Sequence, residues 1–211
     1  MKFDILIAGV GGQGVVLASR LLATAAIDAG YHVATAETIG MAQREGSVTS
    51  HVRIGDEVCG SLIPAGNADL IIGLEPAEAA RNIHFLSKDG SIVVNEHAVI
   101  PSASANNAEY IPEHVIEFLK ENCQETINVD FTQLAKEAGT YRATNVAMLA
   151  AAAGADLLPF NPEELWSVLE KMVPEKYREL NRKAFDMSLE RVSGMKDPEK
   201  QEQVQVQAMD T

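Results

Sequence analysis

An apolar run that ends in a cluster of glycines opens this chain, and it narrows the possible folds more than any other feature. Residues Phe3 to Ala8 read FDILIA, and Gly9, Gly11, Gly12 and Gly14 follow at once. A short, unbroken apolar run reads as a parallel strand buried on both faces. The stretch Val15 to Ala29, rich in Ala and Leu, then reads as a helix capped by Gly30. Strand, glycine turn and helix in that order begin a unit in which helices cover a mostly parallel sheet. Ile5 to Ser19 carries no charge, but Asp4 and the glycines favour a buried strand and turn over a secretion signal. No run approaches the roughly 20 apolar residues of a membrane span.

The remaining pattern extends this unit. Tyr31 to Glu37 reads as a second strand. From Ser47 the residues alternate, with Val48, Val52 and Ile54 on one face and Thr49, His51 and Arg53 on the other. Gly55-Asp56 predicts a hairpin turn, and Glu57 to Ile63 its returning strand. Further strands are expected at Leu70–Leu74, Ser91–Asn95 and Thr126–Val129. Helices are expected at Ala77–Leu86, Glu113–Asn122 and Phe131–Ala138, then at Thr144–Leu157, Pro162–Met172 and Glu175–Arg191. Asn161-Pro162 supplies a cap followed by proline at the first helical position. The expectation is one α/β domain over residues 1–193. It has a Rossmann-like, mostly parallel sheet flanked by helices, a β-hairpin insertion and C-terminal helices. A disordered polar tail is expected over 194–211.

Charge and cysteine count remove several classes of function. The net charge of −13 argues against nucleic acid and against an anionic membrane surface, both of which need clustered Lys and Arg. Two cysteines, Cys59 and Cys123, fall short of the four thiolates of a zinc or iron–sulfur site. They also suggest no disulfide scaffold, so a reducing cytoplasm is the expected compartment. His51 has no second histidine or cysteine at ligand spacing, and no metal site is expected.

Gly9-Val10-Gly11-Gly12-Gln13-Gly14 matches G-x-G-x-x-G between a strand and a helix. Such a loop can bring a cofactor phosphate against a helix N-terminus, with Glu37 near the place of a ribose-binding acid. It can equally serve only to pack the first helix on the sheet. A stand-alone NAD(P)-dependent dehydrogenase and a regulatory nucleotide-binding module therefore remain open on this motif. Gln43 and Arg44 lie in a polar loop, where arginine suits a partner contact or a phosphate of coenzyme A. His51 and Arg53 would join them on an exposed hairpin face, so that Arg44 and Arg53 could meet one partner surface. Glu75 and Glu78 suit a helix start.

Taken together, GVGGQGVVLAS and the segment IGMAQREGSVTSHVR resemble the γ-type domain of 2-oxoacid:ferredoxin oxidoreductases. The second segment carries Gly40, Gln43, Arg44, Gly46, His51, Val52 and Arg53. Leu74, Glu75, Pro76, Glu78 and Ala79 match the family's L-E-P-x-E-A, and Asn145, Asn181, Ala184 and Phe185 match its later positions. Glu45 stands where many relatives have glycine. GMAQREGSV looks most like the small subunit of the indolepyruvate type. The γ subunit of a pyruvate or 2-oxoglutarate enzyme is the alternative within the family. The resemblance implies a subunit that is inactive alone and bears no cofactor. A large α subunit would carry thiamine diphosphate and [4Fe–4S] clusters. The complex would decarboxylate an arylpyruvate oxidatively, pass the acyl group to coenzyme A and reduce ferredoxin.

Overall fold

A computed structural model describes residues 1–41, 46–99 and 110–196. The opening apolar run forms strand β1 (Phe3–Val10), buried along almost its whole length. Helix α1 (Val15–Asp28) follows the glycines, and edge strand β2 (Val33–Ile39) comes next. Strands β3 (Ser47–Ile54), β4 (Ala68–Gly73), β5 (Leu86–Asn95) and β6 (Glu125–Val129) complete a six-stranded sheet. Its order is β2-β3-β1-β4-β5-β6. Strands β1, β4, β5 and β6 run parallel, whereas β3 is antiparallel to both of its neighbours.

The position of β3 corrects one expectation. Residues 57–63 form no strand, because both edges of β3 are already occupied, by β1 and by β2. A strand turning back after Gly55-Asp56 would find no free ladder beside β3. The chain instead crosses beneath the sheet as an irregular segment that covers His51 and Arg53.

Each face of the sheet buries its own core. On one side α1, α4 (Phe131–Ala138), α5 (Thr144–Gly154), α6 (Pro162–Met172) and α7 (Glu175–Lys196) enclose Ile5, Ile7, Val52, Leu70 and Phe185. On the other, α2 (Pro76–Arg81) and α3 (Pro112–Glu121) cover Leu6, Ile71, Ile92 and Val94. With few aromatic residues available, alanine fills the space between layers. Ala147 and Ala150–Ala153 on α5 are all buried, so α5 lies between the sheet and α7 with its sides covered. Ser188 on α7 donates to the Ala147 carbonyl at 2.6 Å, and Gly154 admits Leu189 where a Cβ would lie 2.7 Å from it.

Helix starts follow the sequence signals. Asn161 and Glu164 form a reciprocal capping box ahead of Pro162. Glu75 caps α2 by accepting the Glu78 N–H at 2.9 Å. Helix α2 is shorter than the expected 77–86 segment, which continues as a 3-10 turn over Ile83–Phe85. Helix α7 runs on to Lys196, into the first residues assigned to the tail, and the rest of the tail lies outside the described residues. Among the described residues no helix is long and apolar enough to cross a membrane.

Candidate functional site

The glycine loop sits at the carboxyl end of β1, between β3 and β4 in the sheet order. In α/β sheets ligands collect outside such strand ends. The loop's geometry decides how much of a dinucleotide site it can be. Gln13 turns its side chain back over the loop, and its Oε1 accepts the Val10 N–H at 2.8 Å. Its Nε2 donates to the Leu74 carbonyl at 3.3 Å. The space above Gly9 is therefore taken, since a Cβ there would lie 2.8 Å from Gln13 Oε1. The Gly11 N–H donates to the Gly46 carbonyl at 2.8 Å. The second glycine of the motif, which a dinucleotide fold leaves open to the pyrophosphate, is thus engaged by the protein itself.

Gly14 explains the last glycine of the motif. It caps α1 with φ 80°, and a Cβ would stand 2.6 Å from Asn145 Nδ2. That amide donates to the carbonyls of Gln13 and Gly14 at 3.0 and 3.1 Å, tying the start of α5 to the loop. Asn145 is 9% exposed. Asn181, another of the matched positions, donates to the Tyr177 carbonyl, and Ala184 and Phe185 are buried core.

Glu37 does not reach the loop. Because β3 intervenes, β2 lies two strands from β1, about 10 Å away at ordinary strand spacing. The acid expected beside a ribose is displaced by the width of a whole strand. With Gly9 and Gly11 also engaged, the dinucleotide-dehydrogenase alternative loses its geometric ground.

What remains open is a cleft of about 470 Å³ on the other side of the loop. Gly12, Gly14 and Leu17 line it from the start of α1, Asn95 and Thr132 from the ends of β5 and the start of α4, and Arg142 from the turn before α5. Asn95 and Thr132 are joined reciprocally: the Asn95 amide donates to Thr132 Oγ1 at 2.9 Å, and the Thr132 N–H to Asn95 Oδ1 at 3.3 Å. Helix starts and a guanidinium give this cleft a positive pole in an acidic protein. Asn95, Thr132 and Arg142 carried no periodic or motif signal, since they reach the cleft from three separate elements.

Of the loop containing Gln43 and Arg44, the flanks are described, while residues 42–45 themselves lie outside the described residues. The flanks are firmly held. The Gly40 N–H donates to the Ser47 carbonyl at 2.7 Å, and the Gly46 carbonyl holds Gly11. Ser47 Oγ donates to Glu78 Oε2 at 2.6 Å, and Arg81 pairs with Glu78. Tyr110 OH donates to Glu75 Oε1 at 2.6 Å. The glycine loop, the ends of the Gln43–Arg44 loop and both glutamates thus meet at one end of the sheet. Glu75 and Glu78, each 2% exposed, are committed to caps and bridges there.

His51 and Arg53 are placed differently from the expected exposed hairpin face. Both are buried, at 4% and 5% exposure, under residues 57–63. Arg53 grips Asp4 with Nε at 2.8 Å and Nη2 at 3.1 Å. Its Nη1 donates to the carbonyls of Leu62 and Gly60 at 3.1 and 3.2 Å. His51 Nδ1 accepts the Ile63 N–H at 3.2 Å, and the ring meets Phe85 edge-on. In the register, Arg53 opposes Asp4 while Ser47 opposes Val10. Arg53 therefore lies about 20 Å along the strand from Ser47, and it is buried rather than on the exposed face expected for a partner contact.

Comparison with known proteins bears on the same residues. A family model described as pyruvate ferredoxin/flavodoxin oxidoreductase matches residues 4–191. The indolepyruvate oxidoreductase subunit IorB of Archaeoglobus fulgidus is 43% identical over 190 residues, which is 89% of this chain and 94% of that protein. The pyruvate/ketoisovalerate oxidoreductases common subunit gamma of Pyrococcus abyssi is 30% identical over 72% of this chain and 77% of its own length. The crystal structure of a keto/oxoacid ferredoxin oxidoreductase gamma subunit from Geobacter sulfurreducens superimposes with a TM-score of 0.66 at 25% identity. The match covers 90% of this chain and 98% of that one.

Proposed function

Because the chain belongs to the pyruvate ferredoxin/flavodoxin oxidoreductase family, we propose that it is the small subunit of a 2-oxoacid:ferredoxin oxidoreductase acting on indolepyruvate and related arylpyruvates. The observation that carries this reading is the 43% identity to the indolepyruvate oxidoreductase subunit over nearly the full length of both chains. The pyruvate/ketoisovalerate gamma subunit is less similar and matches over a shorter stretch.

In this reading the large subunit holds thiamine diphosphate and the [4Fe–4S] clusters, and ferredoxin takes the electrons. Two cysteines in the whole chain are too few to ligate a cluster without the partner. The small subunit contributes a rigid surface at the carboxyl end of β1. Gly46, at the described end of the loop with Gln43 and Arg44, is bonded to Gly11, and the glycine loop in turn borders the cleft lined by Gly12, Gly14 and Arg142. We assign the loop with Gln43 and Arg44 to the partner contact, and the cleft to a phosphate of coenzyme A, which helix starts and arginine suit. His51 and Arg53, buried against residues 57–63, take no part in that surface.

Reconstitution tests the assignment. The chain and its large subunit, purified separately without oxygen, should each fail to oxidise indolepyruvate. Mixing them should restore coenzyme A-dependent turnover with ferredoxin or a dye, and the small chain alone should be colourless. Turnover by the isolated chain would refute the subunit reading. Preference of the complex for pyruvate would retain the family and overturn the substrate.

A further inference from the structure

The sheet ends on one side in β2, and among the described residues no strand pairs with its outer edge. Edge strands are usually protected by lysine, proline, a bulge or shortness. β2 has none of these, and Glu37 is its one charged residue. Its seven residues, VATAETI, contain neither Lys nor Pro and pair with β3 without a register break. The opposite edge, β6, has only five residues and begins on Glu125.

The ladder shows which main-chain groups are left over. The Gly40 N–H donates to Ser47, and the Gly55 N–H to His32. These residues continue the β2–β3 register, so the even-numbered positions of β2 turn their hydrogen-bonding groups inward. Val33, Thr35, Glu37 and Ile39 turn theirs outward. The side chains of Thr35, Glu37 and Ile39 are also exposed, Ile39 at 69%.

We propose that a second copy of this chain pairs with this edge, β2 against β2, antiparallel about a two-fold axis at Ala36. In that register Val33 of one copy opposes Ile39 of the other, and Thr35 opposes Glu37. All four are outward-turned positions, so the pairs exchange about eight main-chain hydrogen bonds across the axis. Ala36 meets itself as a non-bonded pair, where Cα atoms approach to about 4.5 Å and a small side chain suits. Each exposed Ile39 covers a Val33. Each Glu37 meets a threonine rather than its own copy, so no like charges stand directly opposed. A strand that is complementary to itself in this way is what an isologous contact requires, and a heterologous partner strand would not require it. The Gly40 ends of the two strands then lie at opposite ends of the pairing, each beyond Val33 of the other copy. The proposal does not depend on the functional reading.

The full-length chain tests it by light scattering over a wide concentration range, with amide exchange followed in parallel. The mass should double as concentration rises. Salt should favour the dimer, because two chains of net charge −13 repel and salt screens them. Thr35→Pro removes only an outward N–H, and Ile39→Lys adds an edge charge. Each should abolish the dimer, and Ile39→Lys should leave the monomer's melting temperature unchanged. The Thr35 and Glu37 amides should exchange slowly in the concentrated native chain, and the Glu37 amide should exchange fast in both variants. A chain that stays monomeric at all concentrations overturns the proposal, as does a dimer that survives both variants. Protection of these amides only when the large subunit is added also overturns it, and would assign the edge to a heterologous strand.

Discussion

At the scale of single residues, Arg53 carries the clearest structural burden. It neutralises Asp4, which has no exposure, and holds the carbonyls of residues 60 and 62. Removing one member of a buried pair leaves a charge without its partner and costs about 3–5 kcal/mol. Lys2 also pairs with Asp4, at 2.8 Å, which places Arg53→Ala near the lower end, about 3 kcal/mol. Urea unfolding of the isolated chain would measure this, and a loss below about 0.5 kcal/mol would contradict the buried-pair account. His51 adds a pH dependence. Burial, and then the neighbouring Arg53, push its imidazole below the ordinary 6.5, while Asp4 pulls the other way. The unfolded chain therefore protonates first as pH falls. The stability owed to neutral His51 is complete above 6.5 and drains away as pH drops from there through the lowered folded value. The stability difference between the native chain and His51→Gln should shrink in that window. A difference that stays flat with pH would show that His51 does not titrate between the two states.

At the scale of elements, local signals and sheet context divided the work. Helix α6 begins where Asn161, Pro162 and Glu164 say it should, and its capping box satisfies two N–H groups that the helix cannot. Asn161→Ala should cost about 1 kcal/mol by thermal or urea unfolding. No measurable change would mean that tertiary packing alone holds the start of α6. Strand β3 is the opposite case. Its alternation of Val48, Val52 and Ile54 with Thr49, His51 and Arg53 predicts one wet and one dry face, yet His51 and Arg53 are buried as well. A strand in the middle of a sheet can bury an arginine and a histidine once an ion pair and a backbone N–H satisfy them. Alternation in sequence cannot tell water from such partners.

At the scale of the whole molecule, the surface at the carboxyl end of β1 gathers the glycine loop, the flanks of residues 42–45 and the cleft beside Arg142. Arg44→Ala should leave the melting temperature of the free chain unchanged and lower its affinity for the large subunit. A central interface arginine is worth about 2 kcal/mol or more, roughly a thirtyfold loss of affinity. Calorimetric or interferometric titration with the large subunit would read it. Unchanged affinity would remove the loop from the docking surface. Unchanged affinity with a raised KM for coenzyme A would give the loop to the phosphate instead. The contrast with Arg53→Ala, which should destabilise the free chain, separates docking from folding.

The sequence by itself determined the α/β class, the order of nearly every element and the family, because buried apolar runs, caps and the glycine motif are local in the chain. It also placed the glycine loop, Glu75 and Glu78 at element ends, where such residues belong. Only the tertiary structure decided what these residues touch. Antiparallel β3 inserts between β1 and β2, and that one choice separates Glu37 from the loop, leaves no edge for a strand at 57–63 and buries Arg53. Gln13 turns inward to fill the space above Gly9, and Asn145 reaches the loop from 131 residues away. Strand neighbours and side-chain partners depend on contacts between distant segments, and sheet order sets those contacts while local pattern does not record it.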